Sequence, residues 1–287
     1  MTRLRKNDID TLTENLSKYE EKFKQQTGKS LLEIAKHALN MKTPIKNVRT
    51  AVVPVTSGLG IIDGFSNTVC GILQYCGIDA FVTDATDVGG MQEAYKKGAK
   101  MLFMADDATC SAFSILGNAY SDNGFATGIG FAAALEEAMK KRKETGARVL
   151  VLGLGPVGTA AAEYLQNAGC EVWVHDINQV ATKAFTKTHP GIEVLCSPEL
   201  KCEFDYILDA TPVANVIKKQ EVSDRTVIAA PGMPLGVEES AASIAQVIHN
   251  PLELGIITMY CECIAKMEQQ GTSNQKEEAA HAYVVGL

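Results

Sequence analysis

Arg148-Val149-Leu150-Val151-Leu152-Gly153-Leu154-Gly155-Pro156-Val157-Gly158 is the stretch that decides the fold. An apolar run of strand length, Val149 to Leu152, ends on Gly-x-Gly-x-x-Gly, and helix formers follow from Thr159 to Asn167. Each glycine has a physical reason. Gly153 allows the tight turn, Gly155 lets backbone approach a pyrophosphate, and Gly158 lets the helix pack close to the strand. The helix then faces the phosphates with unpaired N–H groups and the positive end of its dipole. Leu154, Pro156 and Val157 complete the loop, so residues 153–158 are predicted to hold a dinucleotide.

Downstream, Glu171-Val172-Trp173-Val174-His175-Asp176 reads as a second strand closing on an acid, 23 positions after Gly153. A carboxylate there can accept both adenine-ribose hydroxyls, with Ile177 beside it. No Arg or Lys follows Asp176 until Lys183. A 2′-phosphate would meet a carboxylate with no cation nearby, which costs about 1–2 kcal/mol at a partly wet site. NAD is therefore the expected cofactor rather than NADP. Strands near 193–195, 206–208 and 226–229 continue the Rossmann pattern. Two of them end in loops placed to touch the dinucleotide, Asp209-Ala210-Thr211-Pro212 and Ala230-Pro231-Gly232. A further short strand is expected at 244–248.

Upstream, apolar residues recur at helical spacing over 8–26 and again over 30–40, where Ser30 and Glu33 stand in capping-box spacing. Strands at 50–55, 80–83 and 100–105 then alternate with helices at 65–76 and 88–97. That order implies a parallel sheet with crossover helices. Pro54 points to an edge or strand-end position. The loops at Thr56–Gly60, Asp84–Asp87 and Asp106-Asp107 fall at one edge of this sheet, where open α/β sheets bind ligands. A long helix from about Phe125 to Glu144, stopped by Thr145-Gly146, leads into the nucleotide-binding part. The predicted class is α/β. A helix-rich domain with a small three-stranded parallel sheet (1–146) precedes a Rossmann domain (147–252). A C-terminal helix over 253–270 packs back on the first domain, with a polar, mobile tail over 271–287.

The chain has 287 residues, 46% of them hydrophobic and 21% charged, which suits two ordinary domains. Residues 1–47 carry ten Lys/Arg against six Asp/Glu, so the rest is strongly acidic within a net charge of −7. An acidic body argues against nucleic acid and suits a small cationic substrate, although a solvated acidic surface is the plainer explanation. The polar Met1–Asp8 stretch does not read as a signal peptide, and no apolar run approaches the ~20 residues that span a bilayer. Eight cysteines form no Cys-x-x-Cys or Cys/His metal pattern. They are expected to be small core residues of a reduced, cytoplasmic protein without a metal. None of the five histidines has a neighbouring partner pattern that marks it as a base.

Val53-Pro54-Val55-Thr56-Ser57-Gly58-x-Gly60-Ile61-Ile62, Phe81-Val82-Thr83-Asp84, Met104-Ala105-Asp106-Asp107 and Thr127-Gly128-Ile129 occur in one order with the glycine loop, Ala210-Thr211-Pro212 and Pro231-Gly232-x-Pro234. Together they resemble the pyrroline-ring-forming dehydrogenases of pyrrolysine biosynthesis, from about Leu4 to Met267. The resemblance implies an NAD-dependent oxidoreductase acting on L-lysine acylated at its ε-nitrogen by 3-methyl-D-ornithine. Hydride would leave the carbon bearing the terminal ornithine amine. The imine would lose ammonia to a semialdehyde, and the α-amine would close the ring with loss of water.

That small cationic lysine–ornithine amide arrives near +2. Asp106 is then the expected ammonium partner and catalytic-site acid, with Asp107 capping a helix at Ala108. Ser57, Gly58 and Leu59 resemble a turn that binds the substrate's polar end, the alternative being a plain helix-entry turn. Asn123 is a candidate for the substrate amide or an amine, or else a turn former. Leu4 matches a position on a first helix that closes over the substrate. Two positions depart from the family pattern: Leu59 stands where relatives carry Asn, and Asn250 where they carry Glu before Pro-Leu. The alternatives are another NAD-dependent amino- or imino-acid dehydrogenase and an NAD(H) redox sensor, for which no winged helix is visible. A homodimer is compatible with all of these, and no oligomeric state is fixed.

Overall fold

Runs of β-branched and aliphatic residues seed two separate sheets in the computed structural model, which describes residues 4–196 and 198–285, with side chains for 4–196 and 201–270. The chain opens with α1 (Lys6–Ile9), α2 (Leu12–Thr27) and α3 (Leu31–Ala38). The apolar spacing predicts one helix over 8–26, but Thr11 leaves the helical range (φ −107°, ψ 4°) and divides it. The Ser30 capping box forms as expected: Glu33 N–H donates to Ser30 Oγ at 3.2 Å and Ser30 N–H to Glu33 Oε2 at 2.8 Å.

The first sheet contains β1 (Thr50–Val53), β2 (Ala80–Val82) and β3 (Met101–Ala105), parallel in the order β2-β1-β3. The crossovers are α4 (Phe65–Tyr75) and α5 (Asp87–Lys96). Strand β1 is central, so Pro54 marks its end. The expected three strands are extended by two more, β4 (Cys110–Ser114) and β5 (Tyr120–Asp122), which pair antiparallel and make a five-stranded sheet. No helix starts at Ala108. Asp106 N–H donates to Thr109 O at 2.8 Å, and Ala105 pairs with Cys110, so residues 106–109 form a hairpin turn. Helix α6 (Asn123–Lys141) begins two residues before expectation, because Asp122 accepts the Phe125 N–H at 3.0 Å.

The second sheet is built from β6 (Arg148–Leu152), β7 (Glu171–His175), β8 (Glu193–Val194), β9 (Tyr206–Asp209), β10 (Val227–Ala229) and β11 (Gln246–Ile248). All neighbours are parallel, in the order β11-β10-β9-β6-β7-β8. That is the doubly wound Rossmann order, with its switch point between β6 and β9. Helices α7 (Pro156–Asn167), α8 (Gln179–Thr188) and α9 (Glu239–Ala242) accompany it, and α10 (Glu253–Val285) closes the chain. The helix expected to stop at 270 is corrected at the backbone, since α10 continues to Val285.

Small residues on α6 let it touch both neighbours. A Cβ on Gly128 would overlap the Val157 carbonyl of α7, and one on Gly130 would stand 2.8 Å from Thr258 Oγ1 of α10. Tyr260 on α10 donates to Lys46 O at 2.9 Å and accepts from Val48 N at 3.0 Å, fixing the helix to the entry of β1. A polar cluster binds α3, α6 and α7 together. His37 Nε2 lies 2.8 Å from Glu136 and 3.1 Å from Glu137, Lys140 reaches both acids, and Tyr164 donates to Glu136 at 2.8 Å. This is the one grouping of three metal-type ligands among the described residues, and the Lys140 ammonium already sits within 2.7 Å of it. His189 likewise pairs with Glu163 at 3.0 Å, while the His281 side chain lies outside the described residues.

The expectation that every cysteine belongs to the core is corrected at Cys196 and Cys202, which are exposed on the surface around the 3₁₀ turn at 198–203. No helix among the described residues is long and apolar enough to cross a membrane.

Candidate active site

The strand ends of the two sheets face a common cleft of about 440 Å³. One wall carries Val52, Val53, Phe103, Asp106 and the Gly60–Ile62 turn; the other carries Gly155, Pro156, Val157, Ala210, Thr211, Pro212, Pro231 and Gly232. Those last eight are predicted cofactor residues, brought together from the ends of β6, β9 and β10.

The glycine loop fits a dinucleotide on its own geometry. Gly153 has φ +85°, a backbone state that side chains disfavour. A Cβ on Gly158 would overlap Gly153 O, so only glycine lets α7 approach the strand. Around Gly155 the space is open, since among the described residues none beyond its chain neighbours comes within 4 Å of where a Cβ would stand, and Pro156 starts α7 at N1 where no N–H is lost. The loop therefore offers backbone N–H groups and a helix dipole to an anion with room to approach. Gly153, Leu154 and Gly158 shape this cradle without lining the cleft itself. Asp176 is partly exposed at the end of β7, where Oδ2 accepts Leu154 N–H and Oδ1 accepts Asn178 N–H, both at 2.7 Å. Ile177 beside it is 96% exposed, outside the cleft and available as a flat apolar surface.

On the facing wall Asp106 is, among the described residues, the only carboxylate that lines the cleft. Its Oδ1 accepts from Ala108 N and Thr109 N, each at 2.8 Å. The Thr109 and Ala108 N–H groups hold its pKa below the ordinary value, so it stays ionised at neutral pH. Asp107 turns away: it accepts Leu59 N–H at 2.6 Å, and a Cβ on Gly58 would overlap it. Its predicted role as a helix cap is thus replaced by a brace on the 57–60 turn.

Other candidates fall differently. Leu4 lines the cleft, just ahead of α1, which Lys6 ties down through an ion pair to Asp63. Asn123 also lines it, accepting from Thr127 Oγ1 at 3.2 Å. Ser57, Gly58 and Leu59 do not; they are exposed at the rim, Leu59 at 80%, while Gly60, Ile61 and Ile62 of the same turn reach inside. Asn250 is corrected from a substrate contact to a structural one. It is 2% exposed, donates to Tyr19 OH at 2.7 Å and accepts Leu254 N–H at 3.1 Å, capping α10. His175 and His249 donate from Nδ1 to the carbonyls of Leu195 and Ala230, at 2.9 and 2.6 Å, and neither lines the cleft.

The acid-bearing loops Asp84–Asp87 and Asp106-Asp107 lead one to expect an acidic cleft, and the cleft is mostly hydrocarbon. Phe65, Val69, Leu252 and Ile256 join the strand residues already named. The sequence signal for these was present, since they lie on the inward face of α4 and at or just before the start of α10, but nothing local marks a core residue as a cleft residue. Glu253 was missed entirely. It is 3% exposed on the first turn of α10, and burial pushes its carboxyl up to about 7, against the opposing pull of backbone N–H groups.

Residues 8–121 match the family described as "Pyrrolysine biosynthesis protein PylD, N-terminal domain". Over 261 residues the chain is 34% identical to a pyrrolysine synthase of Methanosarcina barkeri, covering 90% of this chain and 97% of the relative. It is 32% identical to the pyrrolysine synthase of Methanosarcina acetivorans over the same length, covering 98% of that protein. Among solved structures, the shikimate dehydrogenase of Aquifex aeolicus superposes with a TM-score of 0.50 at 13% identity, covering 75% of this chain and 92% of the other. That likeness carries the fold.

Proposed function

The chain belongs to the pyrrolysine synthase family, and on that premise we propose that it catalyses NAD-dependent oxidative deamination of L-lysine-Nε-3-methyl-D-ornithine, followed by closure of the pyrroline ring. One observation carries the proposal: an anion-binding glycine loop and an ionised Asp106 line opposite walls of one cleft. The loop at 153–158 and Asp176 would hold the dinucleotide, with 210–212, Pro231 and Gly232 along its nicotinamide half. When bound, NAD supplies a hydride acceptor for the amine-bearing carbon.

The protein's own residues supply the rest. Asp106 binds and orients an ammonium group by charge, its carboxylate kept anionic by the two N–H groups of its turn. The apolar walls work against the charged form of an amine, because burial disfavours a cation. The proton must leave before hydride can, and deprotonating an alkyl amine of ordinary pKa near neutral pH costs about 4 kcal/mol. Val53, Ile62, Phe103 and Ile256 lower that cost while Asp106 sets position, and the proton passes to water or another group. After hydride loss the imine takes up water and releases ammonia, and the free α-amine condenses with the aldehyde, releasing water.

Mass spectrometry of the purified protein incubated with NAD and the lysine–ornithine amide tests this. Loss of two hydrogens and ammonia lowers the substrate mass by roughly 19 units, a figure set by stoichiometry as the mass signature of an amine-dehydrogenase step. Unchanged substrate, with NADH formed instead from simple amino or imino acids, would favour the broader dehydrogenase alternative.

A further inference from the structure

The carboxylate of Asp209 closes the C-terminal end of β9, at the switch point of the second sheet, paired in register with Leu152 of the glycine-loop strand. It is 0% exposed. Its Oδ1 accepts twice from one residue, Thr211 Oγ1 at 2.7 Å and Thr211 N at 3.1 Å. Its Oδ2 is buried with no hydrogen-bond partner among the described residues and lies against Gly236, where a Cβ would overlap it. Burial pushes this carboxyl pKa up, opposed by the two Thr211 donors and by Lys201.

A half-satisfied buried acid lowers stability, so its presence calls for something gained. The gain is visible at Thr211, which lines the cleft and lies against two other segments at once. A Cβ on Gly153 would lie 3.3 Å from the Thr211 methyl, and one on Gly232 would overlap the Thr211 carbonyl. Thr211 is thus wedged between the glycine loop and the loop after β10, and Asp209 holds both its hydroxyl and its N–H.

We propose that Asp209 is a positioning residue: through Thr211 it fixes the 210–212 loop in the one placement that accepts the nicotinamide half of the dinucleotide. The proposal rests on the NAD reading above and adds a residue to it. It concerns cofactor affinity, so binding reads it without turnover.

NADH fluorescence titration, with thermal melting in parallel, tests it on the full chain. Asp209→Ala and Thr211→Val should each weaken NADH binding by about ten- to thirtyfold, the range expected when a buried hydrogen bond is broken. Asp209→Asn keeps an acceptor oxygen for Thr211 and should restore the Kd to within about threefold. The double variant D209A/T211V should bind no worse than D209A, because both changes cut the same link. Wild-type affinity in T211V, or losses that multiply in the double variant, would overturn the proposal. So would a D209A protein that melts earlier yet binds NADH normally. If D209A fails to fold, T211V and D209N decide. Absence of saturable NADH or NADPH binding in the wild type would instead overturn the cofactor reading, and this proposal with it.

Discussion

Asp106 makes a turn and faces a cleft with the same carboxylate, and the two roles separate on substitution. Asparagine can still accept the Ala108 and Thr109 N–H groups, so the hairpin survives while the charge is lost. Asp106→Asn should reduce kcat/KM for the lysine–ornithine amide by about ten- to hundredfold, the size of a charge-assisted contact. NADH affinity should stay within about twofold of wild type. Equal losses in steady-state kinetics and NADH titration would remove Asp106 from its assigned place. Its location was legible because an apolar strand, Met101–Ala105, ends directly on it. Its neighbour was not. Whether Asp107 or Asp106 caps the next turn depends on whether a helix or a strand follows, and that is decided by pairing with residues 120–122. Asn250 shows the same limit: its place before Pro-Leu in the family pattern reads as a contact, yet Tyr19, distant in sequence, takes its amide.

Among the elements, four helices begin at the cleft: α4 with Phe65, α6 with Asn123, α7 with Pro156 and α10 just after Leu252. The start of α7 was legible, since glycine spacing there has few other uses. That of α10 was read correctly, but its buried acid was not, because burial is a property of the packing around Glu253. Strands β4 and β5 were missed for a related reason: they are short, made largely of small polar residues, and held by β3 and by α10 rather than by their own propensity.

Glu253 gives a pH test of α10. Its folded pKa of about 7 lies above the ordinary 4.5, so the folded state keeps a proton that the unfolded state releases. Stability must fall as pH rises from about 4.5 through 7, by on the order of 3 kcal/mol for that difference. Glu253→Gln should therefore gain about 1–3 kcal/mol over wild type at pH 8 and little near pH 5, read from urea melts. A gain that is the same at both pH values would show the carboxyl to be ionised throughout.

At the scale of the whole molecule, the parallel strands of both sheets could be read from strand spacing, but the facing arrangement of the sheets could not. It depends on α6, whose Gly128 and Gly130 admit α7 on one side and α10 on the other. The polar cluster on that helix should govern behaviour in acid. Burial pushes the Glu136 carboxyl up, and hydrogen bonds from His37, Lys140 and Tyr164 outweigh it, leaving the pKa at about 2. Because that value is depressed, its stabilisation is complete above about pH 4.5 and drains away as pH falls toward 2. Glu136→Gln should cost about 1–3 kcal/mol at pH 7 and shed much less on acidification than wild type does. Parallel acid-dependent losses in urea melts of both proteins would move the weak point elsewhere. Finally, the hydrocarbon lining of the cleft has a calorimetric corollary. A guest that threads its methylenes along Val53, Phe103 and Ile256 sheds the water over them. Association would then carry a negative heat-capacity change, with solvent release supplying the strength and one carboxylate left to choose the direction in which the guest lies.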